Sequence, residues 1–160
     1  MESLFMESHT VKVSTQPVDL NTGANSGARV DMSKSQRVAF LIVADAGTTP
    51  NSHTVSLQQH DAASGGTSAA LSIDNPYFHK VGVATEFTKV VPGAEASSFD
   101  IDAVVADGKF VAVFEVLQED LADGNTHVSC NVTDAGGAQI GCVIAIGHGM
   151  RNLPAYEVAL

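Results

Sequence analysis

The residues with the widest chemical reach in this chain are six histidines: His9, His53, His60, His79, His127 and His148. A metal site needs imidazoles and carboxylates at spacings that turn them toward one point. None of the six stands in an H-x-H or H-E-x-x-H pattern, or beside a carboxylate at ligand spacing. His53 and His60 are an odd number of positions apart, so on one strand they face opposite sides. They read as scattered surface or interface histidines, and no metal is expected. Asp100 and Asp102 place two carboxylates on one strand face about 7 Å apart. That spacing suits a glycosidase pair or a calcium ion. No D-x-D-x-D-G loop accompanies it, so it reads as a solvated strand face. The chain has no G-x-S-x-G elbow, no phosphate loop and no dinucleotide fingerprint. Gly147-His148-Gly149 reads as a turn. The expectation is therefore a protein without catalytic residues or cofactor, not an enzyme.

The remaining candidates are equally plain. Asn131-Val132-Thr133 matches a glycosylation acceptor but falls inside a strand-like run. Cys130 and Cys142 form no C-x-x-C pair, and both sit in apolar runs. They read as small buried hydrophobes, with a bond between neighbouring strands as the alternative. Tyr77 and Phe78 could form an aromatic platform for a sugar, or pack a turn. The chain has no Trp to strengthen the first idea.

The elements that must carry these residues are strands. Valine outnumbers leucine twenty to nine, alongside fourteen glycines. Branched side chains lose rotamer freedom in helices, so this balance favours sheet. Thr10 to Ser14 places Val11 and Val13 on one face. Arg37 to Ala44 is nearly all apolar and is expected to be buried on both faces. His53 to His60 alternates, with Val55 and Leu57 inward. Ala62 to Thr67 reads as a flexible turn, and Ala69 to Ile73 as the next strand. Phe99, Ile101, Ala103 and Val105 share a face. Asp107-Gly108 is the sharpest hairpin signal. After it, Phe110, Ala112, Phe114 and Val116 lie on one side, and Glu119 to Leu121 suggests one helical turn. Val128, Cys130 and Val132 point inward, and Ile140 to Ile146 is again apolar on alternate residues. Nine or ten short strands with a turn every 8–12 residues mark an antiparallel sandwich or barrel. The expected fold is all-β: a single-domain jelly-roll or Greek-key β-sandwich over 10–160, preceded by an N-terminal arm over 1–9.

Charge narrows the partners. Eighteen acids against eight bases give −10, which argues against nucleic acid and against an anionic membrane. No apolar run approaches the roughly 20 residues of a membrane helix. Only 16% of residues are charged, against about 25% in ordinary soluble domains. Interfaces deplete charge at their cores, so this composition suits a protein that spends its life against neighbours.

Several stretches resemble small structural proteins of tailed bacteriophages. They are Val55-Ser56-Leu57-Gln58-Gln59-His60-Asp61 with its Ser64-Gly65-Gly66-Thr67 turn, and Asn75-Pro76-Tyr77-Phe78-His79-Lys80 followed by Phe87-Thr88-Lys89-Val90. Phe114-Glu115-Val116-Leu117, Asp120-Leu121, Thr126-His127-Val128 and Leu153-Pro154-Ala155-Tyr156 follow in the same order. The similarity runs from about Val18 to Tyr156. It implies a virion role, nearest to a jelly-roll capsid cement or decoration protein. Such a protein is made in the host cytoplasm and sits on the outer capsid surface as a homodimer or homotrimer. It bridges copies of the major capsid protein. The expected contact residues are Leu4, Phe5 and Met6 of the arm, with Tyr77, Phe78, Leu153 and Tyr156. The alternatives are a head–tail connector, tail or head-fibre component, and a carbohydrate-binding module using Tyr77, Asp100 and Asp102.

Overall fold

The computed structural model describes residues 5–48, 53–74, 76–82, 84–91, 96–101, 108–133 and 136–149. One helical turn, α1 (Phe5–Ser8), leads into β1 (His9–Asp19). Then come β2 (Val30–Asp31), β3 (Arg37–Ala44), β4 (Thr54–His60), β5 (Ser68–Leu71), β6 (Tyr77–Lys80) and β7 (Thr88–Lys89). The series closes with β8 (Ser98–Asp100), β9 (Phe110–Leu117), β10 (His127–Val132) and β11 (Ile140–His148). The helical turn expected at Glu119 to Leu121 is a 3-10 turn, Gln118–Asp120. Among the described residues no helix is long and apolar enough to cross a membrane.

Every strand pair is antiparallel, in two sheets. The first runs β1-β11-β3-β9-β6-β7 and the second β2-β10-β4-β5, with β8 also against β4. β8 takes Thr54 to Ser56 of β4 and β5 takes Leu57 to His60, so the two share one edge. From β1 to β4 and again from β8 to β11 the chain changes sheet at every step. Those alternations interleave first and last strands as two Greek keys, which is the jelly roll. The all-β sandwich expected from strand spacing is thus the observed architecture.

Alternation decides what each strand buries. Val38, Phe40, Ile42 and Ala44 of β3 and Phe110, Ala112, Phe114 and Val116 of β9 enter the core from the first sheet. Val55 and Leu57 of β4, with Val128, Cys130 and Val132 of β10, meet them from the second. An aromatic cluster joins the layers. Phe78 of β6 lies 5.1 Å from Phe99 of β8 and 5.8 Å from Phe114, and Phe99 lies 6.2 Å from Phe114. Burial pushes the Cys130 thiol up to about 12, and both cysteines are free, so no disulfide links neighbouring strands.

Four expectations need correction. β3 is not buried on both faces: Ala39 and Leu41 are only half-buried and Val43 is exposed, because no layer of described residues covers this side of the first sheet. β1 extends well past Ser14, through Pro17, with register shifts on both sides of Thr15. It is an edge strand, the place where a missing N–H disturbs no ladder. The turn after β4 is pinned rather than flexible. Asp61 Oδ1 accepts from Thr67 N at 2.9 Å and Asp61 Oδ2 from Thr67 Oγ1 at 2.7 Å, which holds the carboxyl below its usual range. Arg29 Nη1 donates to the carbonyls of Ala62 and Gly65. Phe78 is a core residue, and Tyr77 alone of that pair faces outward. Asp107, Ala103, Val105 and Asp102 lie outside the described residues.

Candidate interaction face

Residues directly opposite one another in an antiparallel pair project to the same side of the sheet. The central outward row of the first sheet is Val13, Ile144, Leu41, Val113, Tyr77 and Lys89, one residue from each of its six strands. One row along lie Val11, Ile146, Ala39 and Glu115. On the other side lie Cys142, Val43, Val111 and His79. Phe87 adds its ring against His79, centroids 5.3 Å apart, and lines a shallow groove with Tyr77, Val113 and Glu115. Val13 is 52% exposed, Val43 39% and Phe87 49%. The result is an apolar surface crossing the sheet, of the kind that single folded chains seldom leave uncovered.

β11 explains how so much apolar surface comes to face out. Its inward residues are the small set Gly141, Val143, Ala145 and Gly147, and its outward residues are Ile140, Cys142, Ile144 and Ile146. The inner side has no room for more. A Cβ on Gly141 would stand 2.7 Å from Leu20 Cδ1, and one on Gly147 would collide with Thr10 Oγ1 and Ser35 Oγ. The pattern that reads as "apolar on alternate residues" therefore turns its larger half outward. Two glycines of equal parity are the sequence signal for this, since a strand glycine marks a close approach.

Charge on the face is locally balanced. Arg37 Nη1 and Glu115 Oε1 pair at 3.6 Å across β3 and β9. Lys109 Nζ and Asp45 Oδ1 pair at 3.0 Å near one end, which with the Ala46 amide holds the Asp45 carboxyl below its usual range. Both pairs are solvated, so they set charge pattern more than stability. At the opposite end the row His9, His148, Arg37 and Leu117 borders α1. Phe5 stacks on His9 at 4.3 Å, and His9 Nε2 shares a 2.8 Å hydrogen bond with His148 Nδ1. Phe5 and Met6, about half exposed, thus continue the face beyond the sheet.

The outer side of the second sheet has opposite character. Its rows are Ser56–Asn131, Gln58–Ser129 and His60–His127, extended by Ser68 and Ala70 of β5. These groups satisfy one another. Asn131 Nδ2 donates to Gln58 Oε1 at 3.0 Å, Asn131 Oδ1 accepts from Gly27 N at 3.0 Å, and His60 lies 2.7 Å from Ser68 Oγ and 2.9 Å from Ser129 Oγ. Burial first, then the positive fields of Arg29 and His127, hold the His60 pKa below its ordinary 6.5, with Asp61 pulling the other way. The unfolded chain therefore takes up that proton more readily than the native one. His60 makes no stability change with pH above about 6.5, and stability falls as pH drops from there toward the lower native value. Urea midpoints at about pH 7.5 and pH 5.5 should show this, and His60→Gln should remove part of the difference.

The expected contact residues divide. Phe5, Met6 and Tyr77 are exposed, Tyr77 in the central row and the other two at the His9 end. Phe78 is withdrawn into the core, and Leu4, Leu153 and Tyr156 lie outside the described residues. Tyr77 stands on the first sheet and Asp100 on β8 of the second, so the structure does not bring them together as one sugar site. Among the described residues, no group of three or more His, Cys, Asp or Glu converges as a metal site. Val13, Leu41, Val43, Val113, Ile144 and Ile146 are the face residues that sequence reasoning missed.

No protein-family model matches the chain, and no curated protein matches it. Among solved structures it is similar to the SPBc2 prophage-derived protein YomS, at 14% identity over 87% of this chain and 93% of that one, TM-score 0.46. It is also similar to the CBM22-1–GH10 modules of Clostridium thermocellum endo-1,4-beta-D-xylanase 10B, at 9% identity and TM-score 0.37, over 95% of this chain and 28% of that one. Neither likeness is strong enough to bear on function, and the fold assignment rests on the strand order itself.

Proposed function

We propose that this chain is a non-enzymatic structural protein of a tailed-bacteriophage virion, a decoration protein that binds the outer capsid surface and stabilises the head. The observation that carries the reading is the apolar outer face of the first sheet, continued by Phe5 and Met6 and backed by a rigid jelly roll. What else supports it is the resemblance of the Val55–Thr67, Tyr77–Lys80 and Phe114–Leu117 stretches to phage structural proteins, and a low charged fraction suited to lattice contacts. Mechanistically, each copy removes apolar area from water across a joint between copies of the major capsid protein, at roughly 25 cal/mol per Å² before ordering costs. Repetition around the shell multiplies modest contacts. The net charge of −10 supports a position on the outside, away from packaged DNA.

The N-terminal residues are the readiest test. β1 begins at His9 and pairs with β11 as far as Asp19, so removing residues 1–8 leaves the ladder in place. The truncated chain is expected to keep its thermal midpoint within a few degrees and to decorate undecorated heads at reduced occupancy, read by co-sedimentation. Full occupancy would remove the N-terminal residues from the contact.

A further inference from the structure

The N-terminal helical turn meets the first sheet at two imidazoles, and the hydrogen bonds around them fix where each proton sits. His9 Nδ1 lies 3.0 Å from the carbonyl oxygen of Phe5. A carbonyl only accepts, so Nδ1 of His9 carries the hydrogen and donates it. Ser8 Oγ, 2.8 Å from the same nitrogen, donates to the same carbonyl at 3.2 Å. With Nδ1 protonated, neutral His9 keeps one ring lone pair, on Nε2. That lone pair faces His148 Nδ1 at 2.8 Å, so His148 is the donor and carries its own hydrogen on Nδ1. The neutral pair is thus a directional relay: His148 donates to His9, and His9 donates to Phe5. The Phe5 ring also stacks on His9, centroids 4.3 Å apart and planes 9° apart.

We infer that this pair is a proton-operated latch, which holds α1 to the end of the first sheet at neutral pH and releases it in acid. Imidazole is the side chain whose charge changes within the ordinary pH range. Two protons can add here, with opposite consequences. One goes to Nε2 of His148, the nitrogen that takes no part in the link. Nδ1 of His148 still donates, and its bond to His9 becomes charge-assisted. The other goes to Nε2 of His9. That removes the acceptor from the link and sets N–H against N–H across 2.8 Å. The two ring centroids are 4.6 Å apart, so two imidazolium charges would then face each other closely. Among the described side chains no carboxylate pairs with either ring to offset them. On β3, Arg37 stands opposite His148 and is itself paired with Glu115 of β9 at 3.6 Å. Lys12 of β1 has the opposite parity and donates to the Arg29 carbonyl at 2.6 Å. Glu119, in the turn after β9, lines a hollow with Gln36 and Leu117, and Glu7 is the acid of α1 itself. Two imidazoles are fewer than the three or four protein ligands of a zinc site, so the pair is set for a proton rather than a metal ion. Beyond the latch, Val11 pairs with Ile146 and Val13 with Ile144, so the strand holds while the turn departs. The consequence for capsid binding rests on the decoration reading: Phe5 and Met6 are presented in one geometry at neutral pH and lose it in acid.

The experiment is solution NMR on the full chain, with a chelator present, at about pH 7.5 and about pH 5, on either side of the usual imidazole range. Ring nitrogen spectra at the higher pH are expected to show hydrogen on Nδ1 of both His9 and His148. Backbone order parameters of residues 5–9 are expected to fall from about 0.85 to below about 0.6 on acidification, while Val143 and Ala145 keep the higher value. His148→Asn places an amide where Nδ1 stood. Its nitrogen donates to neutral His9 and its oxygen accepts from protonated His9, so α1 should stay ordered at both pH values. His9→Gln keeps an acceptor toward His148 but loses the bond to Phe5, so α1 should be equally mobile at both. Hydrogen on Nε2 of His9 at the higher pH overturns the inference, as does a wild-type helical turn whose order is the same at both pH values. So does a His148→Asn chain that loosens in acid as the wild type does. Co-sedimentation with heads at the two pH values separates the latch from the decoration reading. Acid release of α1 with unchanged decoration would leave the latch standing and remove the N-terminal residues from the capsid contact. Decoration lost in acid while α1 stays ordered would do the reverse.

Discussion

Replacing Phe114 with alanine is expected to lower stability by about 3–5 kcal/mol. The ring sits on β9, next to the centre of the first sheet, and touches both Phe78 and Phe99. Phe99 comes from the second sheet, so this contact is where the two layers of the sandwich are pinned together. Truncation forfeits the transfer energy of the ring and leaves a cavity between layers. The pleated backbones on either side are held by their ladders and cannot collapse into it. Edge-to-face ring contacts add about 0.5–1.5 kcal/mol beyond burial. Against a total stability of about 5–15 kcal/mol, the loss is large enough to read directly as a fall in urea midpoint with little change in slope. A loss below about 1 kcal/mol would mean that the sheets are not clamped at this point.

A second large effect is expected at Gly27. This residue lies in the connector from β1 to β2, which runs beside β10, with Asn25 bridged to Val132. Its N–H donates to Asn131 Oδ1 at 3.0 Å. A Cβ here would drive into the carbonyl oxygen of Cys130 and approach Ser14 Oγ at 2.6 Å. The carbonyl belongs to β10, paired to β4 on one side and β2 on the other, so it cannot give way. Gly27→Ala should therefore cost about 1–3 kcal/mol, the range for forced overpacking, and Gly27→Val more. A loss below about 1 kcal/mol for Gly27→Ala would contradict the close-approach argument.

The strands themselves were the most readable part of the chain. Alternation named the inward residues of β4 and β10 correctly, because in each of them one parity is apolar and the other is polar. Composition and turn spacing likewise led to the jelly-roll class. Alternation had less to say where both parities are apolar. On β3 the apolar run implied two covered faces, and the described residues cover one. On β11 the choice between Val143 and Ile144 depends on how close Leu20 and Ser35 approach, which is long-range packing that no local pattern carries. Phe78 failed as a contact residue for a related reason. The pair Tyr77-Phe78 looks like a two-ring platform until the pleat sends one ring to each side. The face that now anchors the account was invisible in the sequence as a unit. It is assembled from β1, β11, β3, β9 and β6, strands scattered from residue 9 to residue 148. The signals that survived translation were global ones: the low charged fraction and the excess of valine.

Those same global signals gain a location from the structure. Among the described residues, apolar outward surface is concentrated on the first sheet, while the other sheet's outer side is serine, asparagine, glutamine and histidine bonded to one another. A molecule with two such different sides is suited to being held between unlike environments, one of protein and one of water. The central claim is that this environment is the outside of a phage head. Electron microscopy of the intact virion, at a resolution that traces strands, tests it most directly. The account predicts this jelly roll on the outer capsid lattice, its first sheet packed against protein and its second sheet facing solvent. The same density found in the tail or the connector, or absent from the particle, would contradict it.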